Sequence, residues 1–578
     1  MFNFSAFSFP AALTRFGLVV LLLTWCRPAA AQAPAPAWQT AQAVPTAVAG
    51  PRVSSAVSAT AVDAAGNVYI AGSFSGTVVL GSTTLTSLGS EDVFLAKFNP
   101  RSNQFVWAQR AGGTSVDVAT GLAVNGTSVY MTGNFVSPTA EFGGTSLTNA
   151  GNYDAFVTKL TDAGSTSSFV WAKRVGGTDD DYASALAVSG TSVYVAGSFR
   201  SATADFGGIS LANTGFSDIF VTKLTDAGST GSFVWAQWAG STGNEEATAL
   251  AITGTNIYIG GDFAGPASTF GSTNLTSTGY TDGFVAKLVD GGSSSSFVWA
   301  QRVGGAGYDG VSEIAAMGTS IYVTGVFGSP TASFGSTSLT SAGSLDVFLA
   351  KLIDTGPGTT FAWVQQAGGA DVERVSSLVV SGASIYITGG FTSPTASFGG
   401  TVLTGTSNGR YFPPNVFVAK LTDAGGNGSF TWAQQAGGMD TEYANALALS
   451  GTSLYVAGSF NGPTTAFGAI TIFNSSLSIN PAQGFLASLT DLTLSSTAAA
   501  PPREPAALFP NPARAAATLR RPAGAGAAAL ALTDALGRTV RRYPAPAGPT
   551  DTALDLGGLP AGLYLLRGAG PALRLTVE

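Results

Sequence analysis

The sequence predicts an all-β protein, and a long internal repeat is the main observation behind this prediction. A motif of the form SVYVAGSF recurs seven times, and the tryptophans of a second motif lie 64 residues apart over most of the chain. Each repeat holds four short runs rich in Val, Ile, Phe, Tyr and Thr and bounded by Gly or Asp, which is typical of strands. A fixed period with four strands per repeat predicts a β-propeller, whereas a parallel β-helix has much shorter repeats.

The third repeat shows the four predicted strands in order, at 183–188, 192–199, 218–224 and 233–238. The third strand has the pattern D-x-F-V-x-K-L and the fourth the pattern F-V-W-A-Q. The recurring tyrosines of the second strand are Tyr69, Tyr130, Tyr194, Tyr258, Tyr322, Tyr386 and Tyr455. The tryptophans of the fourth strand are Trp107, Trp171, Trp235, Trp299, Trp363 and Trp432.

The two ends of the repeat array predict that the ring is closed by the N-terminal strand. Residues 36–44, around Trp38, have the sequence of a fourth strand without the preceding three, and the array ends on a third strand at 484–489. We expect the N-terminal strand to complete the last sheet, giving a seven-bladed propeller over 36–491. Closure of this kind leaves no unpaired terminal edge.

The segments outside the array have different compositions. Arg15, an apolar run at 16–25 and small residues at 29–32 predict a secretory signal peptide over 1–31; Cys26 makes a lipoprotein signal the alternative. No other run is long and apolar enough for a transmembrane helix in the mature protein. Residues 492–506 form a Pro/Ala linker, and 507–578 predict a small β-sandwich.

Composition excludes several kinds of chemistry. The chain has no histidine, and Cys26 is its only cysteine, so nucleophilic Cys or His and zinc sites built on them are excluded from the mature protein. Without the signal peptide and the Arg-rich tail, 15 basic residues face 28 acidic ones. Nucleic acid is therefore not an expected partner, because phosphate binding needs a basic surface.

Part of this acidity recurs four residues after a Gly-Gly or Gly-Ser pair. We expect these carboxylates to approach the axial mouth, where a negative ring could bind calcium, a cation or a polyhydroxylated ligand. The alternative is that each one accepts hydrogen bonds from turn amides. No metal is assigned, and no other cofactor is predicted. The six residues are Asp117, Asp181, Glu245, Asp309, Glu373 and Glu442.

Other repeated residues are predicted to be structural. The tryptophans are expected to pack between blades, and the third-strand lysines to be solvated or paired. Three departures from the repeat are candidate binding features: the acidic triplet 179–181, the insertion 410–414 with Tyr411, and the segment 473–483. The lysines are Lys97, Lys159, Lys223, Lys287, Lys351 and Lys420.

Two resemblances rest on these motifs. The repeat GGTDDDYASALAVSGTSVYVAGSF, followed by an F-G turn and a D-x-F-V-x-K-L strand, resembles the bacterial seven-bladed β-propeller (SBBP-type) repeat family. The tail resembles the C-terminal sorting domain of the type IX secretion system. Its motifs are F-P-N-P at Phe509, Pro510, Asn511 and Pro512; D-x-x-G-R at Asp534, Gly537 and Arg538; and L-P-A-G-L-Y with Gly562 and Tyr564.

The second resemblance implies a destination. It implies export across both membranes through the type IX machinery, removal of the tail, and release or anchoring at the cell surface. The repeat family implies no catalytic residues. We therefore expect a secreted or surface-attached binding or structural module, not an enzyme, with a polysaccharide or a surface protein as its ligand. The alternative is a polysaccharide lyase or glycosidase that uses carboxylates at the propeller mouth or Tyr411.

Overall fold

The computed structural model describes residues 35–46, 53–475, 482–493, 507–520, 529–534, 537–544, 552–567 and 573–578. Every regular element in these residues is a β-strand, which confirms the predicted all-β class. The predicted signal peptide and most of the predicted linker lie outside them. The chain divides into two compact units, the first comprising Met1–Ala448 with Tyr455–Leu489 and the second Leu449–Leu454 with Thr490–Glu578.

The first strand of the chain, β1 (Trp38–Ala43), precedes the seven repeats. Repeat 1 has β2 (Ser54–Val62), β3 (Val68–Ser75), β4 (Thr77–Leu80), β5 (Thr83–Thr86), β6 (Asp92–Asn99) and β7 (Gln104–Ala111). Repeat 2 has β8 (Asp117–Asn125), β9 (Ser128–Phe135), β10 (Thr139–Phe142), β11 (Thr145–Thr148), β12 (Asp154–Asp162) and β13 (Ser167–Val175). Repeat 3 has β14 (Asp181–Ser189), β15 (Ser192–Phe199), β16 (Thr203–Phe206), β17 (Ile209–Ala212), β18 (Asp218–Asp226) and β19 (Gly231–Ala239). Repeat 4 has β20 (Glu245–Thr253), β21 (Asn256–Phe263), β22 (Ser268–Phe270), β23 (Thr273–Leu275), β24 (Asp282–Asp290) and β25 (Ser295–Gly305).

The remaining repeats have the same elements. Repeat 5 has β26 (Asp309–Met317), β27 (Ser320–Phe327), β28 (Thr331–Phe334), β29 (Thr337–Thr340), β30 (Asp346–Asp354) and β31 (Thr359–Gly369). Repeat 6 has β32 (Glu373–Ser381), β33 (Ser384–Phe391), β34 (Thr395–Phe398), β35 (Thr401–Thr404), β36 (Asn415–Asp423) and β37 (Gly428–Ala436). Repeat 7 has β38 (Glu442–Ser450), β39 (Ser453–Phe460), β40 (Thr464–Phe467), β41 (Ile470–Phe473) and β42 (Gln483–Thr490).

The four long strands of each of repeats 1 to 6 pair in sequence order as one antiparallel sheet. The two short strands between the second and third long strands form a hairpin, which the sequence pattern did not predict. In repeat 2, Ala140 and Phe142 alternate inward on β10, and Gly143 turns the chain with a φ of 63°. This segment is therefore a short amphipathic β-hairpin, in which only two side chains of β10 point inward.

Repeat 7 takes its fourth strand from the other end of the array. Its sheet has the order β1-β42-β39-β38, and β1 pairs antiparallel with β42, with Ala41 opposite Ala487. Trp38 on β1 is buried, and its ring meets that of Phe467 edge-on at 5.0 Å between centroids.

The core lies in hydrophobic layers between neighbouring sheets. Tyr69 and Leu95 of repeat 1 share one cluster with Met131 and Phe156 of repeat 2. A corresponding cluster joins repeat 7 to repeat 1 and contains Val57, Val68, Phe94, Tyr455 and Leu486. This layered, propeller-like arrangement of antiparallel sheets confirms the predicted fold at that level.

The glycine of the recurring Y-x-x-G motif is required by a close approach of two strands. The first strand carries a β-bulge, which in repeat 3 lies between Ala183 and Ala185. A Cβ atom on Gly197 would lie 1.9 Å from the carbonyl oxygen of Tyr182. Because no side chain fits at that distance, the glycine recurs with the bulge.

The second unit contains seven further strands. They are β43 (Ala507–Phe509), β44 (Ala516–Arg520), β45 (Leu530–Thr533), β46 (Thr539–Tyr543), β47 (Thr552–Asp555), β48 (Gly562–Arg567) and β49 (Leu573–Val577). They form two sheets, of order β43-β44-β47 and β46-β45-β48-β49. Leu519 and Leu554 of the first sheet share a buried cluster with Leu532, Leu566 and Leu575 of the second.

Candidate functional site

The recurring lysine, tyrosine and tryptophan of one repeat converge on one aspartate of the next. Between repeats 1 and 2, Lys97 Nζ and Tyr69 Oη each donate to Asp162 Oδ2 at 2.6 Å. Trp107 Nε1 donates to Asp162 Oδ1 at 3.0 Å. We call this group the junction cluster. Its ion pair recurs as Lys159–Asp226, Lys223–Asp290, Lys287–Asp354 and Lys351–Asp423.

The junction clusters account for the predicted roles of the tryptophans and lysines. The tryptophans are buried, as expected, with Trp107 at 4% exposure. The lysines are paired, also as expected, but they are not solvated: the side chain of Lys97 is 7% exposed. Burial alone would raise the pKa of Asp162, but hydrogen bonds from Lys97 and Tyr69 outweigh it and leave that pKa below its usual value.

The junction between repeats 7 and 1 lacks this cluster. Ser488 stands at the lysine position of β42 and Pro100 at the aspartate position of repeat 1. Hydrogen bonds between side chains and backbone groups join these two repeats: Asn445 Nδ2 donates to the carbonyl of Val57 at 2.8 Å, and the Gly484 amide donates to Ser55 Oγ at 3.0 Å.

The six predicted acidic residues are all buried, at 1% exposure or less. Asp181 illustrates their surroundings: its Oδ2 accepts hydrogen bonds of 2.6 Å from the Gly177 amide and from Ser201 Oγ. Glu442 lies 3.5 Å from Asn415 Nδ2. The other four acids each accept a hydrogen bond from a turn amide, as Asp181 does. The pairs are Gly113 with Asp117, Ser241 with Glu245, Gly305 with Asp309 and Gly369 with Glu373.

A second buried carboxylate lies beside most of these acids, at the start of the preceding third strand. Burial raises the pKa of Asp181 to about 6; the bonds from Ser201 and Gly177 oppose this, and the charge of Asp154 adds to it. Asp154 Oδ1 is itself buried without a hydrogen-bond partner in the described structure. Burial likewise raises the pKa of Glu442 to about 8.

These contacts favour the turn-capping alternative for the six acids. None of them is among the residues that line the central cavity, and turn donors already occupy oxygens of five of them. Within the described residues no group of three or more Asp, Glu, Cys or His side chains is arranged to hold a metal ion. Calcium binding by the acidic ring stays a prediction.

The first strands of all seven repeats line one central cavity of about 140 Å³. Its lining is mostly Ser, Thr, Ala, Gly and Leu, with Asn445 from repeat 7. Glu313 on β26 is the one ionisable side chain among the residues that line it. Burial raises the pKa of Glu313 to about 8, against a hydrogen bond from the Ile314 amide.

A second asymmetric feature lies at the ends of several long strands of repeats 2 to 6. Arg200 lies 3.6 Å from Asp180 and 3.9 Å from Glu246, and its guanidinium covers the exposed ring of Phe216 at 4.8 Å. Asn244 Nδ2 donates to Glu246 at 3.3 Å. We call this group, with the neighbouring residues Tyr153, Tyr182, Asp262, Tyr308 and Arg374, the Arg200 cluster.

The Arg200 cluster carries unusual electrostatics. Burial raises the pKa of Asp262 to about 7, and the nearby charge of Glu246 adds to the shift. Burial and the charge of Asp180 raise the pKa of Tyr182 to about 12, and its ring lies 5.3 Å from that of Tyr153. Two buried polar atoms, Arg200 Nε and Asn244 Oδ1, have no hydrogen-bond partner in the described structure.

The sequence pattern indicated one member of this cluster, Asp180, and none of the others. Asp180 belongs to the acidic triplet, whereas Asp179 pairs with Asn152 Nδ2 at 3.3 Å and Asp181 caps a turn. The available signal was departure from the repeat: Asp262 stands where repeats 1, 3 and 7 have serine, and Arg200 where repeat 4 has Ala264.

The other two predicted departures from the repeat, 410–414 and 473–483, form no comparable cluster in their described residues. Tyr411 is 59% exposed, in a turn where Asn408 Oδ1 accepts from the Arg410 and Tyr411 amides. Much of the segment 473–483 lies outside the described residues. Within its described part, Gln483 Nε2 donates to the Val44 carbonyl at 3.0 Å and so belongs to the 7–1 junction.

The residues of the predicted sorting motifs form turns and strand contacts. Asn511 Nδ2 donates to the Arg574 carbonyl at 2.8 Å, and its Oδ1 accepts from the Thr576 amide at 2.9 Å. Asp534 accepts from the backbone and side chain of Arg538 at 2.9 and 2.8 Å across a turn at Gly537. Gly562 begins β48, where Tyr564 Oη donates to the Pro560 carbonyl at 2.8 Å. Phe509 ends β43, and Pro510 and Pro512 flank Asn511.

Comparisons with known proteins give distant structural neighbours. A protein of unknown function from Dyadobacter fermentans is 8% identical with a TM-score of 0.32, over 78% of this chain and 99% of its own. Pyrococcus horikoshii acylaminoacyl peptidase is 7% identical with a TM-score of 0.34, over 81% of this chain and 58% of its own. A neuraminidase-like protein of A/little yellow-shouldered bat/Guatemala is 8% identical with a TM-score of 0.31, over 78% of this chain and 99% of its own.

No family model and no curated protein matches the chain. A search of the described residues for a helix that is long and apolar enough to cross a membrane found none.

Proposed function

We propose that the protein is a closed seven-bladed β-propeller, exported to the cell surface or beyond, that binds an extracellular polysaccharide at the Arg200 cluster. The first unit forms the ring, and the second carries the sorting signal for export.

Three observations support a closed ring of seven blades. The first strands of all seven repeats line one cavity. The hydrophobic layer between repeats 7 and 1 has the same character as the layers inside the array. The strand β1 occupies the place of a fourth strand in the sheet of repeat 7. A ring built in this way has no free sheet edge at its chain ends.

The Arg200 cluster is the observation that carries the binding role. In this cluster Arg200 Nε and Asn244 Oδ1 are buried without a hydrogen-bond partner, as are twelve other polar side-chain atoms of the described residues. Phe216 is 62% exposed beside them, and Tyr308 is 44% exposed. Flat aromatic surfaces beside polar donors and acceptors suit a polyhydroxylated ligand, which stacks its apolar face and hydrogen-bonds at its rim.

A binding assay on the full chain tests this role. Affinity electrophoresis in gels containing single polysaccharides should retard the wild-type protein in at least one of them. Arg200→Ala and Asp262→Ser install residues that other repeats carry, so both variants should fold, and we expect each to weaken retardation about tenfold. Val136→Ala, at the Arg200 position of repeat 2, is the matched control and should bind like the wild type.

Two results would contradict the binding proposal: no retardation by any polysaccharide in a broad panel, or equal retardation of the wild type and the cluster variants. Melting temperatures of all three variants must stay near that of the wild type for the comparison to count.

One observation favours a polysaccharide lyase or glycosidase as the second candidate. Glu246 and Asp262 interact electrostatically, and a carboxyl with a pKa of about 7 is suited to general acid or base catalysis. Incubation with each bound polysaccharide distinguishes the candidates. New reducing ends or unsaturated products that disappear in Asp262→Ser would establish the enzyme; binding without product formation supports the binding module.

The export route rests on the tail and the N-terminal segment. Asn511, Asp534, Arg538 and Tyr564 of the tail motifs make hydrogen bonds within the second unit. Its two sheets share a core, which suits the expected small sandwich. Truncation after residue 506, in a bacterium that has a type IX system, should leave the protein in the periplasm, while the full chain reaches the surface or the medium. Unchanged surface delivery of the truncated chain would contradict this route without bearing on polysaccharide binding.

A further inference from the structure

We propose that the buried pair of Asp346 and Glu373, where repeat 5 meets repeat 6, binds one calcium ion. Asp346 is the first residue of β30, and Glu373, a member of the acidic ring, is the first residue of β32. Three features of the pair point to a cation: the closeness of the two carboxylates, an unused oxygen on each, and a missing arginine. The site includes no residue of the Arg200 cluster and is independent of polysaccharide binding.

The two carboxylates meet at one glycine near the end of β31. A Cβ atom on Gly368 would lie 1.8 Å from Asp346 Oδ1 and 2.9 Å from Glu373 Oε2. The two oxygens are therefore within about 5 Å of each other, which allows one calcium ion to bind both at about 2.3–2.6 Å. Both residues are buried, at 0% exposure. Two buried charges this close repel each other unless a cation or a proton lies between them.

Each carboxylate has one oxygen that the surrounding turn does not use. Asp346 Oδ2 accepts from the Ala342 amide at 2.5 Å and from Ser341 Oγ at 2.9 Å. Glu373 Oε2 accepts from the Gly369 amide at 2.7 Å. The other oxygens, Asp346 Oδ1 and Glu373 Oε1, are buried without a hydrogen-bond partner in the described structure. A buried carboxylate oxygen without a donor is costly, and a bound cation removes that cost.

An arginine supplies a positive charge at three equivalent pairs, and it is missing from this one. In repeat 4, Arg302 Nη1 donates to Asp282 Oδ1 at 3.1 Å, and repeats 1 and 2 have the corresponding ion pair. In repeat 5, Gln366 stands at the arginine position, and its Nε2 donates to Asp346 Oδ2 at 3.2 Å. The pair therefore has two acidic groups beside a neutral donor.

The other pairs without an arginine differ from this one. Where repeat 3 meets repeat 4, both oxygens of Glu245 accept hydrogen bonds, from Ser241 and from Ser268. Where repeat 6 meets repeat 7, Asn415 replaces the aspartate, so Glu442 is the single carboxylate of the pair. In the described part of the array, one pair thus combines two carboxylates, an unused oxygen on each and no arginine.

The ligands select calcium among the common metal ions. Paired carboxylates are hard oxygen ligands, and calcium takes about six to eight oxygens from carboxylates, carbonyls and water in flexible geometry. Magnesium demands a near-ideal octahedron and keeps several waters, which suits a fully buried pair less well. Softer transition metals prefer imidazole or thiolate ligands, and the chain has no histidine.

Equilibrium dialysis of the full chain against CaCl₂, with a parallel thermal unfolding series, tests the proposal. We expect the wild type to bind calcium, with a melting temperature that rises with CaCl₂ at constant ionic strength. Asp346→Asn installs the residue that repeat 6 has at this position, Asn415, so the variant should fold. It should bind one ion fewer per chain than the wild type and lose the rise.

Gln366→Arg is the more specific variant, because it installs the arginine of repeats 1, 2 and 4. The guanidinium should take the place of the ion. Calcium binding should therefore fall by one ion per chain, and the melting temperature in a chelator should rise above that of the wild type. Gln365→Arg adds the same charge to the opposite face of β31, where repeat 2 has Lys173. This matched control should bind calcium like the wild type.

Three outcomes would overturn the proposal. They are no calcium bound at about 10 mM, a concentration above the range of extracellular calcium modules; as many bound ions in Asp346→Asn as in the wild type; and as many in Gln366→Arg. An absence of bound calcium together with stability that rises on acidification would assign a shared proton to the pair instead.

Discussion

Lys223 of repeat 3 and Asp290 of repeat 4 form a buried ion pair of 2.6 Å that joins two neighbouring sheets. The aspartate also accepts from Tyr194 Oη at 2.7 Å and from Trp235 Nε1 at 3.1 Å, both of repeat 3. One carboxylate thus collects three donors from the preceding repeat. This arrangement fixes the angle between adjacent sheets through directed bonds as well as through packing.

Removal of the lysine of this pair should destabilise the packed repeats strongly. Lys223→Ala leaves the carboxylate of Asp290 buried without its counter-charge, and breaking such a pair costs about 3–5 kcal/mol. Denaturant unfolding followed by tryptophan fluorescence should show the loss. Lys173→Ala, on the fourth strand of repeat 2, is the control and should change the free energy of unfolding by less than about 0.5 kcal/mol. Equal effects of the two variants would refute a structural role for the junction cluster.

The 7–1 junction should depend on the packing of β1. Trp38→Ala removes the ring that packs against Phe467 and the bond from Nε1 to the Gln435 carbonyl at 3.0 Å. We expect a loss of about 3–5 kcal/mol, as for other buried aromatic truncations. The exposed neighbour Gln39→Ala should have little effect. Hydrogen exchange should show lower protection in repeats 1 and 7 together; a loss confined to β1 would argue against closure of the ring.

The acidic ring should give stability a pH dependence of known sign. The pKa of Asp181 is about 6 in the folded chain, whereas an aspartate outside the folded environment has a pKa of 3.8. The folded state therefore holds the extra proton, so this residue's contribution to stability falls as pH rises from about 4 to about 6 and is constant above. Relative to Asp181→Asn, which cannot lose a proton, the wild type should lose about 1–3 kcal/mol across this window.

Ser201→Ala tests the same residue by raising the pKa of Asp181 further, instead of removing the titrating group. It removes a hydroxyl that donates to the carboxylate of Asp181 at 2.6 Å and lowers its pKa. Its unfolding free energy should therefore fall over a wider pH range than that of the wild type. Identical pH profiles for the wild type and both variants would show that Asp181 does not titrate in this window.

Asn511 should hold the end of the second unit. Asn511→Ala removes two bonds to β49, to the Arg574 carbonyl and from the Thr576 amide. A loss of about 1–2 kcal/mol is expected, and the Thr576 amide should exchange faster with solvent. Arg514→Ala, which breaks an exposed 3.9 Å pair with Glu578, should leave that exchange unchanged. Unaltered protection in Asn511→Ala would show that the side chain does not fix this strand.

The sequence was most informative where a residue's role is repeated. The spacing of the tryptophans, the Y-x-x-G motif and the incomplete ends of the array predicted sheets of four strands, and the all-β class was confirmed. The hairpin from Thr139 to Thr148 escaped prediction because its inward alternation spans too few residues to be distinguished from a loop.

The candidate site was less predictable than the fold, because its residues do not recur from repeat to repeat. The regular acids, such as Asp181, meet turn amides and hydroxyls. The asymmetric residues, such as Arg200, Asp262 and Glu313, are single departures from the repeat. A single departure gains meaning only when folding brings it beside others, and 62 residues of sequence separate Arg200 from Asp262 of the same cluster.

Local sequence determined what recurs, the strands and the glycine beneath each bulge, because each depends on neighbours within one repeat. Tertiary structure decided what meets across repeats: Lys223 with Asp290, Arg200 with Glu246, and seven first strands around Glu313. These contacts join residues dozens of positions apart. Their distances are set by how each sheet packs on the next, which no pattern within a single repeat encodes.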